Sequence, residues 1–587
     1  IKIINRNNHD NDNFILDNIP LNDEATFHLL RQQKTNGVFQ LESRGLKDII
    51  KRLKPDKFDD LVALVALYRP GPLQSGMVDD FIDRKNGANV QYLHPLIEDV
   101  LKPTYGVILY QEQVMKIAQV LAGYSLGAAD ILRRAMGKKK FEEMKQQRRI
   151  FVEGAIKNNV DKAQAEYIFD LMEKFAGYGF NKSHSVAYAL IAYQTAFLKT
   201  HYTEPFIAAV LSSDMDNTDK VVRFVKECEY MSINLNPPNI NKSNYTFTVT
   251  EKNEIVYGLG AIKGVGKAII DIILNERNLN GSYKSLDDLL KRCGTNKINK
   301  RVIEALIKSG SFDIFGDTRS SLMSNYPKSM KMADQNSKNI QHGQIDIFGF
   351  TENNEKKKDL ELSSEWPTIK KLSYERDVLG FYLSGHPINE YKNELKDIVS
   401  NNLYSIKKNY SKNGPQKNNI YKIAGVINNI RIRTTSTKDK LAQINLGDDT
   451  DNIDVIANNN LLDNSINRDE IVIIEGTIRF DEYTNRLSFR AKSIDSLDDA
   501  RIKYATGVKI KVTNESDLSV LTEKLEVFFK DNKESGKCLV RIDYVSSNIA
   551  KSLVLGEKYK ILPTNDIITQ LENLDCVQDI QLIYSKM

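Results

Sequence analysis

The nine residues Gly177 to Ser185, reading GYGFNKSHS, gather more chemistry than any other short stretch of this chain. Glycines at 177 and 179 let the backbone approach a ligand closely. Tyr178 and Phe180 offer ring faces on which bases stack. Lys182 and His184 can reach a phosphate or a leaving group, and Ser183 or Ser185 can cap the helix that follows. The same string also fits a plain helix cap with His184 as a satisfied polar residue, so its neighbours must decide.

A basic run lies upstream: Arg133-Arg134, Lys138-Lys139-Lys140, Lys145 and Arg148-Arg149, against only Glu142 and Glu143 between 133 and 149. Gly137 is expected to break the helical pattern after the arginine pair. Paired arginines clamp phosphate oxygens bidentately, and the lysines Lys138, Lys139 and Lys140 spread a diffuse field along a nucleic-acid backbone. A solvated helix face is the alternative reading. Gly258 to Gly266 (GLGAIKGVG), followed by a helix from Lys267 to Leu274, has the glycine pattern of a helix-hairpin-helix. There Gly264, Gly266 and Lys267 expose N–H groups at a positive helix end, which suits a DNA phosphate without reading bases. A hairpin that only packs helix on helix is the alternative. Gln344-Ile345-Asp346-Ile347-Phe348 places two large apolar residues in a polar stretch. Ile347 and Phe348 then need a partner pocket, with Gln344 hydrogen bonding beside them, or a latch on their own domain.

No metal-holding carboxylate pair stands out. D-x-D spacings occur at Asp10/Asp12, Asp214/Asp216 and Asp449/Asp451, none on a convincing central strand. Asp214 opens like a calcium loop, but Asp219 and Val225 stand where the glycine and glutamate belong. A G-x-x-x-x-G-K-[ST] phosphate loop is also missing.

These groups need several domains to position them. With 587 residues the chain exceeds a single core. A net charge of +5 is small for this length, so charge distribution rather than total must argue for nucleic acid. The cysteines at 228, 293, 538 and 576 show no CxxC spacing, which fits a thiol-reducing cytosol. No stretch approaches the ~20 apolar residues of a membrane span, so no membrane partner is expected. The reading is multidomain α+β. Residues 1–235 are mainly helical, with Phe58 to Tyr68 ended by Arg69-Pro70-Gly71-Pro72. Leu190, Tyr193 and Phe197 mark one buried face, and Pro205 opens the next helix. Residues 236–400 carry the hairpin region, including a helix Lys300 to Lys308, with a polar, mobile connector over 325–370. Residues 401–503 alternate as about five short strands, a small barrel of OB-fold type. Residues 504–587 read as a small α/β domain with strands Val508 to Val512 and Cys538 to Tyr544 and a helix Leu518 to Phe529.

In combination these strings resemble the bacterial replicative DNA polymerase III alpha subunits. GVFQLESRG (37–45), ALYRPGPLQSGMVDDFIDRK (66–85), PTYGVILYQEQVM (103–115), LRRAMGKKK (132–140), GYGFNKSHS, YGLGAIKGVG (257–266) and LGFYLSGHP (379–387) follow one another in order. The match thins after about residue 505. The resemblance implies a fingers domain in which Arg133 and Arg134 contact an incoming dNTP, with Tyr178, Asn181, Lys182 and His184 lining the same site. It implies primer-template DNA held by the helix-hairpin-helix, single-stranded template on the barrel, a sliding clamp on Gln344, Ile347 and Phe348, and the clamp-loader tau subunit on the last domain. The implied place is the bacterial cytoplasm. The implied reaction is two-metal nucleotidyl transfer with Mg2+. The family's catalytic aspartates fall in a palm expected upstream of Ile1, so no catalytic or metal residue is assigned here, and the chain alone is expected to be inactive. The rival is a non-enzymatic DNA-binding or clamp-tethering protein, which leaves GYGFNKSHS and the basic run unexplained.

Overall fold

Asp23 accepts hydrogen bonds from the Thr26 backbone N–H (2.8 Å) and hydroxyl (2.6 Å), and so starts helix α1 (Glu24–Arg31). The apolar run that follows becomes α2 (Phe58–Leu67), in which seven of ten residues are buried. It stops where Arg69, extended before Pro70, cannot continue it. The computed structural model describes the chain except residues 8–12, 139–140, 177–178, 342–362, 400, 414–418, 435–439, 462–465, 482–485, 513–521, 524–525, 529–535, 546–549, 575–576 and 585–587. It divides into two units, Ile1–Ser363 and Ser364–Met587.

The first unit is helical and has two cores in its first 200 residues. One is built around α1, α2 and α7 (Lys182–His201), with Phe27, Leu30, Leu64 and Tyr193 at its centre. The other is enclosed by α3 (Gln111–Ala122), α4 (Leu126–Lys138), α5 (Phe141–Lys157) and α6 (Lys162–Ala176), around Ile117, Leu121, Phe151 and Phe169. Residues 179–185 lie where the chain leaves the second core for the first. Gly137 does not break α4, because buried Leu132, Ala135 and Met136 hold that turn against the core and outweigh the ~1 kcal/mol helical cost of glycine. The buried face of α7 is narrower in size than expected. Ala189, Ala192 and Ala196 flank Tyr193, while Leu190 and Phe197 are only partly covered. Small residues there let α7 lie close to α2. Pro205 falls third in α8 (Thr203–Ser213), still within its first turn, and α9 (Thr218–Tyr230) follows.

Three short strands, β1 (Leu235–Asn236), β2 (Thr248–Val249) and β3 (Ile255–Val256), pair in the order β1-β3-β2. They lead into α10 (Lys267–Asn280), α11 (Leu286–Cys293) and α12 (Lys300–Lys308). The stretch 325–370, expected as a connector, is corrected at its start. Helix α13 (Arg319–Gln341) continues through Pro327 because Leu322, Asn325 and Tyr326 are buried beneath it.

In the second unit β4 (Tyr421–Thr434), β5 (Lys440–Gly447), β6 (Asn452–Asn458), β7 (Ile471–Asp481) and β8 (Arg486–Ser496) close a barrel in the order β4-β5-β6-β8-β7. Alternation in β5 puts Ala442, Ile444 and Leu446 inside with Val455, Val472 and Phe489. The last sheet runs β11-β10-β9-β12 from β9 (Ala505–Val512), β10 (Leu539–Val545), β11 (Ala550–Val554) and β12 (Asp579–Tyr584). Most of the expected helix 518–529 lies outside the described residues. Within this unit Arg501 is buried and grips both oxygens of Glu394 at 2.7 and 2.8 Å. Among the described residues no helix is long and apolar enough to cross a membrane.

Candidate functional site

Phe180 and Tyr110 form a one-residue parallel bridge. The Phe180 N–H donates to the Leu109 carbonyl (3.2 Å), and the Gln111 N–H donates to the Phe180 carbonyl (2.9 Å). This bridge lays the start of α7 against the start of α3. Gln111, the first residue of α3, then joins both cores. Its Nε2 donates to the Gly179 carbonyl at 3.1 Å, and its Oε1 accepts from an Arg133 Nη at 3.0 Å. Its neighbour Glu112 accepts from the Lys182 N–H at 3.0 and 3.1 Å and from Asn181 Nδ2 at 3.1 Å. A carboxylate belongs there, because the first turn of a helix carries positive potential.

Asn181, not Ser183 or Ser185, is the cap of α7. Its Oδ1 accepts from the His184 N–H at 2.9 Å. Asn reaches this role because it precedes the first helical residue, whereas both serines lie inside the first turn. Ser185 Oγ is buried and has no hydrogen-bond partner among the described residues. The exposed side chain of Lys182 places its ammonium 5.6 Å from the Tyr110 ring centre. Burial, with Asp59, Glu112 and Asp60 nearby, pushes the Tyr110 phenol well above its ordinary range, so it stays neutral.

The arginine pair is anchored from below by Asp130. Arg133 reaches it with Nε at 2.9 Å, and Arg134 reaches its other oxygen at 2.8 Å. The hydrogen bond from Arg133, with both guanidinium charges, holds the Asp130 carboxyl below the usual carboxylate range. Arg133 is therefore fixed by Asp130 and Gln111 together, while Arg134 is two-thirds exposed. Further along the run Arg148 pairs with Asp170, and Arg149 with Glu153 at 2.8 Å. These two serve the helices rather than the wall. Lys138 ends α4; Tyr178, Lys139 and Lys140 lie outside the described residues, as do Gln344, Ile347 and Phe348.

The adjacent residues Gln111 and Glu112 thus link Arg133 to the start of α7 at Gly179, Asn181 and Lys182, while Arg134 joins Arg133 through Asp130 and His184 joins Asn181 through its backbone N–H. Sequence reading passed over Gln111 and Glu112, and over Arg69. The Arg69 guanidinium lies 4.3 Å from the Phe180 ring centre while its Nε donates to the Ala66 carbonyl (2.9 Å). Burial pushes its pKa down. Its signal in the sequence was a cation directly before a proline breaker.

The hairpin at 258–266 divides its glycines between two tasks. A side chain at Gly258 or Gly260 would meet the backbone of Tyr245 to Phe247 at under 3.0 Å, so these two are required by packing. At Gly264 (φ +90°) and at Gly266, the N-cap of α10, nothing lies within 4 Å of an added Cβ. Lys263 and Lys267 are exposed beside them, with Lys267 Nζ 5.5 Å from the Tyr245 ring centre. Open amides and two cations at a helix start form a surface suited to a phosphate backbone.

Three of the D-x-D carboxylates bind lysines. Asp214 binds Lys220 at 2.7 Å, Asp449 binds Lys392 at 2.5 Å, and Asp451 binds Lys407 at 2.9 Å. Asp10 and Asp12 lie outside the described residues. Among those described, no group of three or more His, Cys, Asp or Glu could hold a metal ion.

A helical wall bearing fixed arginines, a helix-hairpin-helix and a closed five-stranded barrel define a multidomain α+β protein of the nucleic-acid-handling class. Residues 1–159 match the bacterial DNA polymerase III alpha subunit finger domain, and residues 232–322 match the helix-hairpin-helix motif. The DNA polymerase III subunit alpha of Escherichia coli K12 is 44% identical over 575 residues, covering 96% of this chain and 49% of that protein. The corresponding subunits of Haemophilus influenzae (44% over 567 residues) and Pseudomonas aeruginosa (42% over 591 residues) cover 95% of this chain and 48% and 49% of their own lengths. The chain is a relative of the bacterial DNA polymerase III alpha subunits along nearly its whole extent, and it spans about half the length of those it matches.

Proposed function

We propose that this chain supplies the nucleotide-receiving and DNA-holding part of a replicative DNA-directed DNA polymerase. The observation that carries this reading is Gln111, which ties Arg133 to the backbone of Gly179 and so places fixed cations and the start of α7 on one surface. A triphosphate bound there meets charges already oriented, which avoids the reorganisation that loose side chains require. Arg133 and Arg134 take the phosphates, Lys182 adds a third cation, and His184 and Phe180 line the wall beside them. The open end of α10, with Gly264, Gly266 and Lys267, holds the DNA backbone without reading sequence.

We assign the acids that hold Mg2+ for nucleotidyl transfer to the part of the relatives that this chain does not span; Asp214, Asp449 and Asp451 are each paired with a lysine. We extend the same reading to partners. Gln344, Ile347 and Phe348 dock on the sliding clamp, and residues 504–587 dock on the clamp-loader tau subunit. Alone, the chain binds but does not polymerise.

Steady-state primer extension by the complete polymerase, with Arg133→Ala, tests the central assignment. Loss of a preorganised phosphate contact should lower kcat/KM for dNTP by on the order of 10²-fold. Unchanged kcat and KM would remove Arg133 from the site.

A further inference from the structure

His184 is exposed, so burial does not fix its ring. Two aromatic neighbours flank it: Phe180 with ring centres 5.4 Å apart, and Tyr188 at 4.3 Å. Tyr188 in turn meets Phe39 at 5.5 Å. Four rings therefore run in series, Phe39–Tyr188–His184–Phe180, with the Arg69 guanidinium on the far end. Phe180 is held by its backbone bridge to Tyr110. The other end depends on the loop that carries Phe39, and that loop is tied down unusually firmly.

The Phe39 N–H donates to Thr195 Oγ1 of α7 at 3.0 Å. Three residues earlier, Asn36 sits in a knot of charges. Its carbonyl accepts from the wholly buried Lys199 ammonium at 2.8 Å, and its Nδ2 donates to Glu227. Lys199 also binds Glu227 at 2.6 Å, while Lys47 and Arg223 donate to Asn36 Oδ1 at 2.7 and 2.9 Å. Between them Gly37 takes φ +78°, where a Cβ would press Phe206 and Phe224 at 3.2 Å. Helix α7 holds this loop at Lys199 and at Thr195.

We propose that Phe39 is a positioning residue for the His184 ring, and that the Lys199–Glu227–Asn36 knot holds Phe39 in register for that task. This rests on the reading that His184 lines the nucleotide wall. Phe39 meets Tyr188, and through that ring its effect reaches His184. A ring that contacts nucleotide equally before and during reaction alters KM and leaves kcat.

The experiment compares Phe39→Leu, Phe39→Tyr and Arg133→Ala in the complete polymerase, reading KM and kcat for dNTP. In the isolated chain it follows the imidazole resonances of His184 and of His94, which caps a separate short helix turn at Pro95. Phe39→Leu should raise KM on the order of fivefold with kcat within about twofold, and Phe39→Tyr, which keeps the ring, should restore it. In the chain, Phe39→Leu should move the His184 resonance and leave that of His94 in place. A raised KM in Arg133→Ala with no change in Phe39→Leu overturns this inference and leaves the wall intact. No change in either variant overturns both. A His184 resonance indifferent to Phe39→Leu refutes the ring series directly, whatever the kinetics.

Discussion

The wall around Gln111 and the mouth of α10 both offer backbone amides and cations at the start of a helix, yet they are furnished in opposite ways. In the wall, Glu112 already occupies the first turn of α7, and Asp130 and Gln111 hold Arg133 at 2.9 and 3.0 Å. At α10 the cap is a glycine with nothing within 4 Å of an added Cβ, and Lys263 and Lys267 are exposed. Fixed cations suit one ligand of defined geometry, because orientation is settled before binding. An open amide mouth suits a repeating phosphate chain that can be gripped at any register. The internal acids cost the wall some net positive charge, and in exchange they set where the remaining charge points.

Four changes break or sharpen this contrast. Lys199→Met strikes the frame behind the wall by leaving Glu227 buried without its cation. It should destabilise the first unit by about 3 kcal/mol in denaturant unfolding, while leaving the hairpin's DNA contacts unchanged at temperatures where the fold persists. Gln111→Ala should separate Arg133 from the Gly179 backbone and lower kcat/KM of the complete polymerase about tenfold to a hundredfold, or about 1.4–2.7 kcal/mol. Gly264→Val should cost about 1–2 kcal/mol of backbone strain at φ +90°, since the space itself is open, and should weaken binding of this chain to duplex DNA in a fluorescence titration. Lys267→Gln is the mildest. It should reduce the slope of log K against log salt by about 0.9, equally for DNA of any sequence. A loss confined to one sequence would contradict the idea that the hairpin only grips backbone.

Local pattern carried the fold much further than the site. Helix α12 begins and ends where its apolar period does, at Lys300 and Lys308, and Asn299 caps it. The barrel strands were legible because one face alternates, as in Ala442, Ile444 and Leu446. The connector expected from 325 gave way at its start to a mostly polar helix anchored by the buried Leu322 and Tyr326. In the site, residues whose chemistry is intrinsic were visible: the arginine pair, and the Lys182 and His184 of the glycine loop. Those that work by connecting were not. Gln111 meets Gly179 across 68 residues, and Glu112 meets Lys182 across 70, so nothing in their neighbourhood marks them beyond a helix start. Asp130 lay just outside the basic run and was left out of its charge balance, although i,i+3 and i,i+4 spacing to the arginines was in plain view.

Side-chain NMR of this chain with labelled arginine, titrated with a deoxynucleoside triphosphate, tests the wall most directly. The account predicts saturable shifts at Arg133 and Arg134, with Arg148 and Arg149, paired to Asp170 and Glu153, left in place. Equal shifts at all four arginines, or none at Arg133, would contradict it.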